Sequence, residues 1–186
     1  MNSSINIGHQ SPQIINAIVE IAKETHNKYE YDEDLDIIKL DRVLHSPMHY
    51  PVDYGFIPET RSKDGDHLDV MIMTNSPVFT GCLIEVRPIG VLIMTDEAGD
   101  DEKILAVPLK NPNYDQIKSL KDVEPHFLKE LTHFFTEYKR LENKDVTVKD
   151  WMGKAEAYKI IRQSTKVYRQ EQKEKNQELS SRHIRD

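Results

Sequence analysis

Cysteine is nearly absent: Cys82 is the only one among 186 residues. No disulfide can form within the chain, which points to a reducing, cytoplasmic setting. Cys82 lies in an apolar strand-like run, where a thiol is ordinarily buried and inert. Long apolar runs are missing too. None approaches the ~20 residues that span a bilayer, so no membrane partner is expected. The opening residues, Met1-Asn2-Ser3-Ser4-Ile5, lack a basic region followed by an apolar one, and no signal peptide is expected. Basic charge is in deficit: 25 Lys and Arg against 32 Asp and Glu leave a formal net charge of -7. Phosphate backbones demand a basic face, so no nucleic-acid partner is expected. No Cys or His cluster stands at zinc-ligand spacing, and no repeat recurs at solenoid spacing.

What the chain does have is acid, concentrated in two places. Asp64-Gly65-Asp66-His67-Leu68-Asp69 holds three carboxylates at the mouth of the apolar run Leu68–Met73. Carboxylates this dense repel one another and persist most easily beside a cation. The other reading is a polar turn feeding a strand, since Asp-Gly is a common turn pair. An EF-hand fails on spacing: counted from Asp64, the sixth residue is Asp69 rather than Gly, and the twelfth is Asn75 rather than Glu. The second acidic stretch, read as a loop, supplies Asp96, Asp100, Asp101 and Glu102.

The hydrophobic pattern predicts strands first and helices late. Residues 1–12 read as a polar, poorly ordered tail. Ile14, Ile15, Ala17, Ile18, Val19 and Ile21 form a strand or a short helix, and β-branching favours strand. Residues 29–32 and 36–42 read as a β-hairpin. Pro47, Pro51 and Pro58 break the next stretch into loops and short extended pieces. The run from Leu83 to Met94 contains Pro88 and Gly90, which predict a kink or bulge. Ile104 to Pro108 closes the set, and the many short kinked strands predict a closed β-barrel. Apolar residues at helical spacing predict a helix over 124–140, and a second helix beginning near Trp151-Met152-Gly153. Beyond Tyr168 the charged sequence reads as a solvated helix extension or a disordered tail. The expected division is a tail over 1–12, one domain over 13–168 and a charged extension over 169–186.

Lys28, Arg42, Tyr50, Tyr54, Lys103, Tyr138 and Lys139 accompany the carboxylates. Hard cations held by oxygen ligands, with Lys, Arg and Tyr donors around them, suit a phosphate-bearing substrate. Any one of these basic residues could equally be a solvated surface charge.

The ordered blocks resemble family I soluble inorganic pyrophosphatase. They are Tyr50-Pro51-Val52-Asp53-Tyr54-Gly55-Phe56-Ile57, Asp64 to Val70, Arg87-Pro88-Ile89-Gly90-Val91, Met94 to Lys103, His133 to Lys139 and Trp151 to Ala157. The resemblance spans about residues 14 to 168. It implies a mainly β protein with helices (α+β), an OB-like five-stranded β-barrel with two C-terminal helices packed outside. It implies Mg²⁺-dependent hydrolysis of pyrophosphate to two phosphates by direct attack of a metal-activated water. By that resemblance Asp64, Asp69 and Asp101 bind one metal, with Asp69 shared by a second. Asp96 and Asp101 hold a metal that arrives with substrate, and Glu20 binds a further ion. Asp66 accepts the proton of the attacking water. Lys28, Arg42, Tyr54, Lys103, Tyr138 and Lys139 bind phosphate, with Glu30 and Tyr50 behind them. A homo-oligomer, a hexamer in bacterial relatives, is expected by the same analogy. His67 departs from the family, which usually has proline there, as does Ala22. Two other classes compete: a catalytically weakened pyrophosphatase-like scaffold, and an OB-type oligonucleotide binder that the acidic charge disfavours.

Overall fold

A computed structural model describes residues 5–96 and 99–182. Glu97 and Ala98 of the second acidic stretch lie outside the described residues, as do the ends of the tail and of the extension.

Besides three short 3-10 turns, the described residues form eight strands and two α-helices. In chain order they are β1 (Ile15–Ile21), β2 (Asn27–Asp32), β3 (Ile37–Val43), β4 (Asp53–Ile57), β5 (Leu68–Ile72), β6 (Leu83–Asp96), β7 (Gly99–Pro108), α1 (Pro125–Glu137), β8 (Thr147–Gly153) and α2 (Lys154–Arg182). The main sheet runs β1-β4-β5-β7-β6-β8, and β1 also pairs with β6. That last pairing closes five strands into a ring, with β8 outside it. β5 and β7 are parallel, and the other pairs are antiparallel.

β6 is long enough to serve three partners, pairing with β1 near its start and with β7 and β8 further on. Its register shifts between Pro88 and Gly90, so the anticipated bulge falls there. The bulge bends the strand as ring closure demands.

Ring strands are buried on both faces, which is why they read as continuous apolar runs. Met71, Leu105 and Val107 join one core cluster with Leu131, Phe134 and Phe135 of α1. Val70, Ile72, Ile104 and Ala106 join a second with Ala157 and Ile161 of α2. Each helix therefore covers an apolar surface of the barrel.

Three local expectations change, and the open reading of the charged extension is decided for helix. Residues 5–12 are tied down rather than poorly ordered: Ile7 is buried, its N–H donates to Glu59 at 3.2 Å, and its carbonyl accepts from Asn16 N–H at 2.8 Å. Asp100, Asp101 and Glu102 are strand residues of β7, paired with β6. Residues 147–153 form β8, and helix begins only at Lys154. Trp151 holds that strand, opposite Leu92 and with its indole N–H donating to Thr132 of α1 at 3.0 Å. The charged extension continues α2 to Arg182. No described helix is long and apolar enough to cross a membrane.

β2 and β3 form a separate two-stranded sheet. The hairpin stands beside the barrel and forms one wall of a cleft of about 650 Å³.

Candidate active site

Sheet register assembles the floor of this cleft. Asp69 of β5 sits opposite Phe56 of β4 and Lys103 of β7. Lys103, only 2% exposed, donates to Tyr54 Oη at 2.8 Å, Asp69 Oδ2 at 2.7 Å and Asp101 Oδ1 at 2.9 Å. The Tyr54 hydroxyl also contacts Asp69 Oδ2. Burial alone would depress the Lys103 ammonium, but Asp69 and Asp101 outweigh it and hold it well above its usual range. Burial raises Asp101 despite that ammonium. One cation facing two carboxylates stays charged, while the second carboxylate bears the cost of desolvation.

A second pair closes one end, with Lys139 Nζ donating to Asp96 Oδ2 at 2.7 Å. Tyr138 precedes Lys139 at the end of α1 and lines the same cleft. Burial pushes its phenol up.

The hairpin supplies the facing wall. Lys28 and Arg42 are opposite one another across β2 and β3. Lys28 contacts Glu30, and Arg42 contacts Asp41. Arg42 Nε faces Glu142 Oε2 at 3.0 Å as an ion pair. Yet the buried Arg42 Nε and Nη2 make no hydrogen bond among the described residues. Glu142 is thus the carboxylate partner of this guanidinium by charge, and Arg42 lines the cleft beside Lys28.

Carboxylates ring the remainder. Glu20 is 8% exposed, and its Oε1 accepts from Tyr31 N–H at 2.7 Å. Burial first, then Asp69, pushes its carboxyl up to about 8. Asp66 is also raised, by burial and then by Asp64. Asp64 caps the turn, its Oδ1 accepting from Asp66 N–H at 3.0 Å.

The structure thus brings Glu20, Lys28, Glu30, Arg42, Tyr54, Asp64, Asp66, Asp69, Asp96, Asp101, Lys103, Tyr138 and Lys139 to one cleft. Tyr50 stands behind it: it is 1% exposed, packs against Tyr54 and Phe134, and does not line the cleft. Tyr31, Glu33, Asp41, Arg61 and His67 line the cleft without having been singled out for it. Asp41 was within reach of sequence reasoning, since it flanks Arg42 on a strand. The other four depend on contacts across the cleft.

His67 has a local explanation. Its ring stacks on Phe56 at 4.9 Å between centroids and 10° between planes. Nδ1 is 2.8 Å from the Thr60 carbonyl, and Nε2 is 3.0 Å from Glu33 Oε1. A proline could make neither polar contact.

The donor chemistry fits hard divalent cations. The acidic ligand candidates offer oxygen only, and at Glu20 burial and Asp69 outweigh the pull of Lys28. Among the described residues no three His, Cys, Asp or Glu side chains already enclose a point as a metal cage does. Lys103 lies between Asp69 and Asp101 instead.

Comparison with known proteins agrees in sequence and in shape. The family model described as inorganic pyrophosphatase matches residues 17–169. The inorganic pyrophosphatase of Nostoc sp. is 49% identical over 158 residues, covering 85% of this chain and 94% of that protein. That of Methanosarcina mazei is 46% identical over 165 residues, covering 89% and 98%. The crystal structure of inorganic pyrophosphatase from Thermus thermophilus superposes with a TM-score of 0.87 at 38% identity, covering 90% of this chain and 98% of that one.

Proposed function

The chain belongs to the inorganic pyrophosphatase family, and from that premise we propose that its acidic cleft hydrolyses pyrophosphate with Mg²⁺, by direct attack of water. The observation that carries the proposal is the company Arg42 keeps. It lines a cleft where lysines and phenols face a ring of carboxylates. That is a donor set for phosphate beside an oxygen set for cations.

Asp64, Asp69 and Asp101 would hold one cation, Asp69 with a share in a second. Asp96 and Asp101 would hold another, and Glu20 a further one. When bound, such cations screen the charge of pyrophosphate and acidify an adjacent water. Asp66 takes the proton of the attacking water on its carboxylate. Burial and then Asp64 raise its affinity for a proton, the direction a general base needs. Arg42 and Lys28 hold phosphate oxygens from the hairpin wall. Lys139, Tyr138, Tyr54 and Lys103 do so from the barrel side. Positive donors fixed in advance favour the charge that develops on the leaving phosphate.

The proposal extends to a homo-oligomer and a cytoplasmic setting. The analogy with bacterial members of the family supports the first, and the single cysteine supports the second. Calorimetric titration of pyrophosphate into the Mg²⁺-loaded protein, with phosphate release followed in the same sample, tests the function. Turnover accompanying the heat is expected. Saturable binding without phosphate release would return the scaffold reading.

A further inference from the structure

One side chain outside the phosphate and cation sets joins three separate parts of the molecule. Arg61 is 8% exposed. Its Nη1 and Nη2 grip Glu33 Oε1 and Oε2 at 2.9 and 3.1 Å. Nη1 also donates to the Gly65 carbonyl at 2.6 Å, and Nε donates to Glu171 Oε2 at 2.9 Å. Its backbone N–H donates to the Ser164 carbonyl at 3.0 Å, and the guanidinium lies 5.6 Å from the centre of the Tyr168 ring.

The contacts reach three different elements. Glu33 lies at the tip of the β2–β3 hairpin, just past the end of β2. Gly65 lies between Asp64 and Asp66, in the turn that presents the proton acceptor. Ser164, Tyr168 and Glu171 belong to α2, which is anchored on the barrel through Ala157 and Ile161.

The hairpin needs such an anchor. An isolated two-stranded sheet is marginal in water, and this one pairs with no other strand among the described residues. Its base is held where Tyr50, itself buried, donates its N–H to the Thr25 carbonyl and accepts from Glu24 N–H at its own carbonyl, both at 2.8 Å. Its middle is held by Tyr31, bonded to Glu20 and stacked on Phe56. The tip is held by Arg61, with His67 as a second contact to Glu33. Lys28 and Arg42 ride on this hairpin, and Asp66 does not. Lys28 and Arg42 pair near the base of the hairpin, so the tip contact bears on the span between phosphate ligands and proton acceptor through the tilt of the whole hairpin.

We infer that Arg61 is a positioning residue for the hydrolysis: its guanidinium sets the span between the β2–β3 hairpin and the Asp64–Asp66 turn, with α2 as the fixed support. The inference rests on the pyrophosphatase reading of the cleft. A planar fork is needed, because it meets a carboxylate through two parallel bonds while a third donor reaches the Gly65 carbonyl. Lysine keeps the charge and loses the fork. Displacement by about 1 Å costs on the order of a hundredfold in rate.

The test compares wild type with Arg61→Lys, Glu33→Gln and the double variant, in Mg²⁺ at saturating pyrophosphate. Each single variant should lower kcat by about ten- to a hundredfold. The double variant should be no slower than Arg61→Lys, since both changes break one contact. Amide exchange across residues 27–43 should quicken at least about tenfold as the tip loosens. Unchanged kcat with a lowered Tm would make Arg61 a stability residue only and overturn the inference. So would unchanged hairpin exchange. If Arg61→Lys does not fold, Glu33→Gln decides the matter alone, because that carboxylate is 38% exposed and tolerates the change. A wild type that releases no phosphate would defeat the pyrophosphatase reading, and with it the catalytic role of Arg61. Hairpin exchange would still decide whether the tip is clamped.

Discussion

At the scale of single residues, Glu20 carries the clearest pH signature. Its carboxyl is pushed from an ordinary 4.5 to about 8 by burial and by Asp69. Between those values the native state keeps a proton that the unfolded chain has released. Stability of the metal-free protein should therefore fall as pH rises from about 5 to 8. Asp66 and Asp101 are raised too and act in the same direction. Thermal melts in EDTA across that window check this, and Glu20→Gln should flatten the trend. Asp66→Asn should lower kcat by roughly a hundredfold or more while pyrophosphate affinity stays close to wild type. Kinetics of the purified variant check this, and an unchanged rate would remove Asp66 from its role. Asp66 was legible because three carboxylates fall within six positions, whereas Glu20 was reached only through the family resemblance. The Arg61 clamp was not legible. Glu33 and Glu171 lie 28 and 110 residues from Arg61, and a buried arginine in a polar stretch looks like any surface arginine until the chain folds.

At the scale of elements, β1 and β4 meet so closely that Gly55 has no room for a side chain. A Cβ there would stand 1.9 Å from the Ile18 carbonyl oxygen, a backbone atom that cannot step aside. Gly55→Ala should cost about 3 kcal/mol or more, measured by urea unfolding. The far end of α2 should matter little, because the described side chains from Lys173 onward are exposed. Truncation after Gln172 keeps Tyr168 and Glu171. It should move Tm by no more than ~2 °C and leave phosphate release within about twofold. Ring strands were readable because both faces are buried, so their apolar runs stand out. β8 was misread because Trp151 and Val148 suit a strand as well as a helix start. The choice is made by β6 and α1, both distant in sequence. The acidic run before Ile104 was misread as loop for a related reason. Pairing with β6 extends β7 through charged residues that have no strand signal of their own.

At the scale of the whole molecule, barrel closure was foreseeable from short kinked strands. The separate hairpin was also foreseeable as a local pair. Its placement as a wall of the cleft was not, because that depends on contacts to β1, β4, the Asp64–Asp66 turn and α2. The assembled cleft gathers opposite charges, and the account requires that cations complete it. The most direct measurement is the initial rate of phosphate release from pyrophosphate by the full chain in Mg²⁺, in EDTA, and in EDTA followed by excess Mg²⁺. The expected result is rapid release in Mg²⁺, none above background in EDTA, and recovery when Mg²⁺ is restored. Undiminished release in EDTA, or no release in any of the three, would contradict it.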